Sequence, residues 1–469
     1  MKFYLRGQFI HVLTTLSATS AHGKLPFGRK INITDIIHCK RIHKQRTKIL
    51  KSIGCLLLLL LFHFYAAGQS QQAYYQQKLN TYFSKDHHIK DLISINQNGI
   101  SIHGDKVNGE GIFLNWQQVQ ALAPFISTIS EPELKKLIID KKDSLPYFIQ
   151  KDSLQKRNTP HSLKGMKIAI DPGHIGGAYP MGETESRCMT LAIDSTQRIQ
   201  LIEGNLTFFT AVLLKHMLDS MGAQTMLTRN DTGISALGIT FAQWKKKIKN
   251  KNYLDSLINN HLISEKNIHL LNAHLADKAL FSNVFGSVDM AARAEKINAF
   301  QPDITVIIHY NVNEKNTGWS HATDKDYVMA FVPGCITADN LKTLPGKLNF
   351  LRLLLSPDIE QSVRLSSDVA RNISTTLNVP LAQKTDATYL TEHCLSTPAE
   401  GIYSRDLALT RLIKGPLVYG EPLYQDNARE CILLTAKTDT FSGYLVSKRI
   451  ELVALAYYKG ILEYLQINN

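Results

Sequence analysis

One histidine follows a predicted buried strand directly, and an imidazole there can either bind a metal ion or make a structural hydrogen bond. The apolar run Ile168 to Ile170 stops at an Asp-Pro-Gly turn, and His174 comes next. Ligands collect just beyond the carboxyl ends of strands in open α/β sheets, and Asp-Pro-Gly is a typical turn sequence. The turn alone does not decide between the two roles, because most histidines in such positions are structural.

Three other polar residues stand at the ends of predicted elements. Glu203 opens a helical pattern in which apolar residues recur every three or four positions. His309 directly follows an apolar strand pattern, and Glu421 follows another. Because strand ends and helix starts of an α/β sheet meet at one edge, a single sheet edge can bring these three residues together with His174.

At these residues the chain resembles the zinc-dependent N-acetylmuramoyl-L-alanine amidases, which are cell-wall hydrolases of the amidase-3 type. Each shared motif is short, but the order of the motifs along the chain is specific. The series consists of DPGH at 171–174, a helix-opening glutamate at 203, TRND at 228–231, ARAEKIN at 292–298, IHYN at 308–311 and a strand-end glutamate at 421. The resemblance covers about residues 165 to 465, with large interruptions, and says nothing of the first 160 residues.

The resemblance implies a metal site and a catalytic residue. His174, Glu203 and His309 are expected to bind one zinc ion, and Glu421 is expected to be the catalytic carboxylate. Two imidazoles and one carboxylate leave the fourth zinc position open, which is typical of catalytic rather than structural zinc. The implied reaction is hydrolysis of the amide bond between N-acetylmuramic acid and L-alanine in peptidoglycan, with Glu421 transferring a proton to the leaving amine.

The choice of carboxylate ligand has alternatives in the sequence. The 28 residues between His174 and Glu203 form a longer loop than is usual in the family, and they include Glu183 and Glu185 as rival ligands. Glu203 is favoured because the helix, the strand and the TRND turn that follow it match the family in register.

The catalytic role and the reaction have alternatives as well. Glu392 or Glu400 could take the role of Glu421, and Arg293 is interpreted as positioning backbone or a neighbouring acid rather than substrate. The enzyme could be another zinc peptidase or deacetylase that acts on peptidoglycan, or the chain could be an inactive cell-wall-binding protein of the same fold. The presence of all four site residues argues against the inactive protein.

Strand and helix patterns alternate after about Met166. This alternation predicts an α/β catalytic domain over residues 166–469, with a twisted mixed or parallel sheet and helices on both faces. Its predicted strands include 224–227 and 304–308. Residues 69–150 are predicted to form a small α+β domain of unknown role with a hairpin about Asn98-Gly99, and the polar segment 151–165 is predicted to be a linker.

Residues 232–288 interrupt the catalytic domain where the family generally has a short link. Four lysines between positions 245 and 249 precede apolar residues at helical spacing, and Ser264 can cap a second helix. This insert is interpreted as two helices over the domain that shield the metal cleft or dock a regulatory protein partner, and a solvated appendage is the alternative that explains the same lysines. The helix that follows the insert is predicted to have Asp289 as its cap.

The net charge of +13 suggests a polyanion-binding protein until it is divided along the chain. Residues 1–68 contain 11 Lys and Arg and one acidic residue, so that the rest has 42 basic and 39 acidic residues. Because the excess charge belongs to the leader, nucleic-acid binding is not expected.

The leader has the order of a secretory signal peptide. A basic segment precedes an apolar core at about 53–65 with six consecutive leucines, and Ala-Ala-Gly ends at Gly68. Export to the periplasm or cell envelope is therefore expected, with cleavage near Gly68, although an uncleaved membrane anchor is the alternative. Of six cysteines, those at 188, 335, 394 and 431 remain after the leader; they lack metal-type spacing and cannot be paired from sequence. The oligomeric state is not predicted.

Overall fold

The computed structural model describes residues 71–104, 109–140, 162–192, 195–196, 198–273, 275–441 and 443–467. The predicted leader with its apolar core at about 53–65 lies outside the described residues, as does nearly all of the predicted linker 151–165. Within the described chain, no helix combines the length and the apolar character that a membrane span requires.

The N-terminal region is the predicted small α+β unit. Its elements in chain order are α1 (71–82), α2 (Ile89–Leu92), β1 (Ile93–Asn96), β2 (Gly99–Ile102), β3 (Ile112–Asn115), α3 (Trp116–Leu122) and α4 (Glu131–Lys135), which continues as a π-helical turn (Lys136–Asp140). The three strands form an antiparallel sheet in the order β1-β2-β3. Asn96 pairs with Gly99 across the predicted hairpin, so that Gln97 and Asn98 form its turn.

Seven of the strands in the rest of the chain form one mixed sheet. The strands of this region, inside and outside that sheet, are β4 (Lys167–Pro172), β5 (Cys188–Ala192), β6 (Arg198–Ile202), β7 (Gln224–Leu227), β8 (Ile304–Ile308), β9 (Met329–Pro333), β10 (Cys394–Ser396), β11 (Ile402–Arg405), β12 (Leu417–Glu421), β13 (Lys437–Phe441) and β14 (Tyr444–Ser447). The sheet order is β10-β11-β9-β12-β8-β4-β7. Strands β7, β4, β8 and β12 are parallel, whereas β9 is antiparallel to β12 and parallel to β11. The mixed α/β sheet is therefore confirmed.

The helices of this region lie on both faces of the sheet. They are α5 (Tyr179–Glu185), α6 (Glu203–Ser220), α7 (Phe241–Lys247), α8 (Lys251–Asn259), α9 (Glu265–Leu271), α10 (Asp277–Leu280), α11 (Gly286–Phe300), α12 (Leu344–Leu355), α13 (Asp358–Leu377), α14 (Thr388–Glu392), α15 (Ala408–Leu412), α16 (Ala428–Thr435) and α17 (Lys448–Tyr464). Alternate residues of a strand point to opposite faces. In β4, Ile168 and Ile170 join a larger core with α6, α13 and α17, whereas Ala169 joins a smaller core with α11 and α15.

The insert 232–288 contains four short helices, α7 to α10, where the sequence predicted two. Ser264 caps α9 as predicted, because its side chain accepts a hydrogen bond from the amide of Asn267. The predicted cap at Asp289 is wrong. A π-helical turn (Phe281–Phe285) runs into α11, which begins at Gly286, because its buried aromatic and aliphatic residues continue the helical face upstream.

The N-terminal region packs against the region of the mixed sheet within the unit 69–469. Lys78 on α1 is buried and its ammonium lies 2.8 Å from the carboxylate of Glu360 on α13. The carbonyl of Tyr82 accepts hydrogen bonds from the Ser404 hydroxyl (2.6 Å) and the Cys335 amide (2.7 Å). The region therefore contacts both α13 and the strand β11.

Candidate active site

Two histidines lie side by side because they follow adjacent parallel strands. Pro172 at the end of β4 pairs with Ile308 at the end of β8, and His174 and His309 come just beyond these residues. The imidazole rings have centroids 4.7 Å apart. A β-carbon at Gly173 would lie 2.4 Å from the ring of His309, so that glycine is required for this approach.

Glu203, the first residue of α6, points its carboxylate between the two imidazoles. Its Oε1 lies 3.2 Å from Nε2 of His174 and 3.1 Å from Nδ1 of His309, and it accepts a hydrogen bond from the amide of Tyr310. One candidate ligand atom from each of His174, Glu203 and His309 lies within 4.8 Å of the others. The structure thus brings together the three predicted ligands in a group that could hold a metal ion.

Glu185, one of the two rival ligands, contacts the other side of His174. Its Oε1 lies 2.9 Å from Nδ1 of His174, and its Oε2 accepts a hydrogen bond from the Ile175 amide at 3.0 Å. Glu183 is exposed and lies outside the cluster. Glu185 therefore binds the ring nitrogen that points away from Glu203, in the way that second carboxylates orient metal-binding histidines.

A buried polar network holds the loop that carries His174. Arg293 on α11 donates to the carbonyls of Pro172 (2.8 Å) and His174 (2.7 Å) and to the carboxylate of Asp289 (2.7 Å). Asp289 also accepts a hydrogen bond from the Ala236 amide in the insert at 2.7 Å. Arg293 positions backbone and a neighbouring acid, as the sequence indicated, and His174 keeps a left-handed backbone with φ of 59°.

The family model described as N-acetylmuramoyl-L-alanine amidase matches residues 168–441 of the chain. The chain belongs to this family. The matched residues contain every residue of the site, and the enzyme is accordingly an N-acetylmuramoyl-L-alanine amidase by class.

Several solved amidase structures are similar to this chain. The CwlD amidase of Clostridioides difficile, solved in complex with the GerS lipoprotein, is 17% identical, with a TM-score of 0.35 and matches over 65% of this chain and 100% of that one. The apo form of Ami1 from Mycobacterium abscessus is 15% identical, with a TM-score of 0.34 over 64% of this chain and 99% of that one. The CwlV catalytic domain from Bacillus (Paenibacillus) polymyxa is 12% identical, with a TM-score of 0.33 over 65% and 99% of the two chains. No curated protein matches the enzyme.

Glu421 ends β12 beside this cluster. Its side chain is buried, and its Oε2 makes no hydrogen bond to any described residue. Burial and the nearby carboxylate of Glu203 raise the pKa of Glu421 to about 8. The alternatives Glu392 and Glu400 are exposed, with Glu392 close to His393 and Glu400 bound to Gln383.

The cluster of the enzyme favours a cation. Burial opposes protonation of His174, but the carboxylates of Glu203 and Glu185 raise its pKa to about 9. Burial lowers the pKa of His309 to about 4. Burial opposes ionisation of Glu203, but His174 and the hydrogen bonds from both histidines lower its pKa well below the usual value. An ionised carboxylate between two imidazoles is electrostatically suited to a metal ion.

Two residues at the site were missed by sequence reasoning. The ring of Tyr419 stacks on His309 with centroids 4.4 Å apart, and Nε of Arg187 lies 3.2 Å from Nε2 of His174. Tyr419 precedes Glu421 by two positions on β12 and so shares its face, which is a signal that the sequence does contain. Arg187 lies in the loop that departs from the family, and no motif marks it.

A cavity of about 350 Å³ opens beside the two histidines. Its wall combines His174, Arg187, His309 and Tyr419 with Phe281, Ser282 and Gly286 from the insert and its junction with α11, and with Met290 and Leu407–Leu409 from the catalytic region. The insert therefore forms part of the wall of the candidate active site.

Proposed function

We propose that this amidase uses one zinc ion, held by His174, Glu203 and His309, to hydrolyse the amide between N-acetylmuramic acid and L-alanine in peptidoglycan. The observation that carries the proposal is the convergence of these three side chains, with ligand atoms within 4.8 Å, beside Glu421, whose buried Oε2 has no hydrogen-bond partner among the described residues. The proposal rests on the donor set and on the family to which the chain belongs.

The donor set fits catalytic zinc. Two imidazole nitrogens and one carboxylate are ligands that zinc accepts in hydrolases, and three protein ligands leave one position open. Zinc bound by these groups would supply Lewis acidity, which lowers the pKa of water and polarises a carbonyl. The hydrogen bond between Glu185 and His174 supports the same role, because it leaves Nε2 of His174 pointing toward Glu203.

Glu421 is the proposed acid and base. Its carboxylate would accept a proton from the attacking water and donate it to the leaving amine, which is a step that contributes about 10²- to 10⁴-fold to rates. The raised pKa of Glu421 supports this assignment, because a group that both accepts and donates a proton works best when its pKa is near the operating pH.

The test is hydrolysis of purified peptidoglycan by the protein, with and without a chelator. We expect release of intact peptides with an L-alanine amino terminus, loss of activity with the chelator, and recovery on addition of zinc. Cleavage within the peptides would identify a peptidase, and release of acetate would identify a deacetylase. Full activity in the chelator would refute a metal-dependent reaction.

We also propose that the chain is exported, on the strength of the basic segment, the leucine core and Ala-Ala-Gly in its first 68 residues. Substrate chemistry supports the same destination, because peptidoglycan lies outside the cytoplasmic membrane. The amino-terminal residue of protein recovered from the cell envelope tests this: a new terminus near Gly68 is expected, and Met1 would contradict cleavage.

The insert 232–288 is the proposed position for a regulatory protein partner. The three residues Phe281, Ser282 and Gly286 in the cavity wall support a role in access to the site. Substitution of the exposed lysines at 246 and 249 should weaken binding of an acidic partner recovered from the envelope. Unchanged binding of the partner would place the contact elsewhere.

A further inference from the structure

Arg405, the last residue of β11, has a guanidinium group that lies over two aromatic rings. The group lies over the ring of Phe331 and over the ring of Tyr389, with its central carbon 4.9 Å from each centroid. Its side chain makes no hydrogen bond or ion pair with any residue that the structure describes, and it is only partly buried. All five of its N–H donors are thus held in one plane and remain available.

The aromatic support of Arg405 is fixed by the same segment that carries His309. The hydroxyl of Tyr389 accepts a hydrogen bond from the side-chain amide of Asn311 at 2.9 Å and donates to the sulfur of Met329 at 3.2 Å. The carboxylate of Glu314 accepts hydrogen bonds from the amides of Thr388 and Tyr389 at the start of α14. The position of Tyr389 is therefore set before any ligand binds.

Strand register places Arg405 on the face of the sheet that carries Glu421. Tyr403 pairs with Phe331 and Phe331 pairs with Tyr419, so that these residues share one face with Arg405 and Glu421. The contacts are continuous, because Phe331 lies 6.0 Å from Tyr419, which stacks on His309. A continuous chain of ring contacts thus joins the candidate metal site to Arg405.

We infer that Arg405 binds a carboxylate of the peptide part of the substrate, on the far side of the scissile amide, and so selects acidic peptides. The inference rests on the proposed function, because it takes His174, Glu203, His309 and Glu421 as the reacting centre. A guanidinium held flat on aromatic rings presents a fork of donors that matches a carboxylate in two parallel hydrogen bonds. A neutral carboxamide offers no negative charge and only one acceptor oxygen to this fork.

The test compares two substrates in the full-length protein, N-acetylmuramoyl-L-alanyl-glutamic acid and its diamide. We expect kcat/KM for the acid to exceed that for the diamide by about 10- to 100-fold, the range for hydrogen bonds to charged groups. Arg405→Gln should remove this preference, so that kcat/KM becomes nearly equal for the acid and the diamide. Arg405→Lys, which keeps the charge and loses the fork, should fall between the two.

Arg364→Gln is the matched control, because the guanidinium of Arg364 also lies over an aromatic ring, that of Tyr464 at 5.9 Å, but belongs to α13. Arg364→Gln should leave kcat/KM unchanged for both substrates. The thermal unfolding midpoint of each variant checks that the variant is folded. Equal use of the two substrates by the unmodified protein would overturn the inference. An equal loss of kcat/KM on both substrates in Arg405→Gln, together with a shifted pH profile, would also overturn the inference. Arg405 would then act through Glu421.

Failure of the proposed reaction can be distinguished from failure of the inference about Arg405. A protein that hydrolyses neither substrate refutes the proposed reaction, and the binding of L-alanyl-glutamic acid and of its diamide, measured by calorimetry, then tests Arg405 without turnover. A preference for the acid of at least 10-fold that disappears in Arg405→Gln supports the carboxylate site. Equal affinities overturn it.

Discussion

The ligand cluster beyond β4 and β8 and the carboxylate at the end of β12 lie at one sheet edge, but their polar atoms differ in how they are bonded. His174 contacts carboxylates through both ring nitrogens, and Glu203 accepts from a backbone amide and reaches both histidines. Glu421 has one buried oxygen that makes no hydrogen bond to the part of the chain that the structure describes. An unpaired buried polar atom costs about 1–3 kcal/mol, and the contrast supports the proposed division between a cluster that holds an ion and a group that transfers a proton.

Removal of a candidate ligand should have the largest effect. His174→Ala and His309→Ala are each expected to lose zinc and hydrolysis together, because two remaining ligands hold the ion poorly. Bound zinc per chain and release of peptide from peptidoglycan are the measurements. His393→Ala is the control, since its side chain is 67% exposed. One zinc ion retained in both ligand variants would contradict the role of the cluster.

Glu421→Gln tests the other side of the comparison. The amide has nearly the shape of the carboxylic acid but cannot accept the proton, so that kcat should fall by about 10²- to 10⁴-fold. Zinc content and substrate affinity should remain, which would assign the loss to the chemical step. Glu400→Gln is the control because this residue is exposed. Normal turnover would remove Glu421 from the mechanism, and loss of zinc would make it a ligand.

Glu185→Gln should have the smallest effect of the three. The glutamine keeps a hydrogen bond to Nδ1 of His174 but loses the negative charge, and loss of such support typically weakens metal binding by about 10- to 100-fold. The zinc dissociation constant of the folded protein is the measurement. Glu183→Gln, on the same short helix but exposed, should leave it unchanged. A complete loss of zinc in Glu185→Gln would show that Glu185 is itself a ligand.

Much of the site edge could be predicted because short-range patterns determine it. The strands at 224–227 and 304–308 have the predicted bounds. The second is a continuous run of β-branched residues, which is typical of a buried parallel strand. The helix that begins at Glu203 was readable for a similar reason. Neighbouring parallel strands then bring their following residues together, so that order along the chain sufficed to place His174 near His309.

The contacts that could not be predicted depend on three-dimensional register. Glu185 reaches His174 through a loop whose length departs from the family, and sequence offered no means to choose which side of the imidazole it contacts. Arg405 meets Phe331 because β9 lies between β11 and β12. Strand order in a mixed sheet is not encoded in local periodicity, so that Tyr419 could have been placed on the face of Glu421 but not against His309.

Ile175, the residue after His174, is buried in the core of the insert together with Phe241, Trp244 and Phe285. Packing of the Ile175 side chain therefore couples the backbone at His174 to a segment more than 60 residues further along the chain. Thermodynamic linkage makes this relation reciprocal: an ion that fixes His174 stabilises the insert by the same free energy with which an ordered insert improves ion affinity. Under the proposed function, amino-acid replacements around Ile175 are therefore expected to alter zinc affinity without contacting substrate.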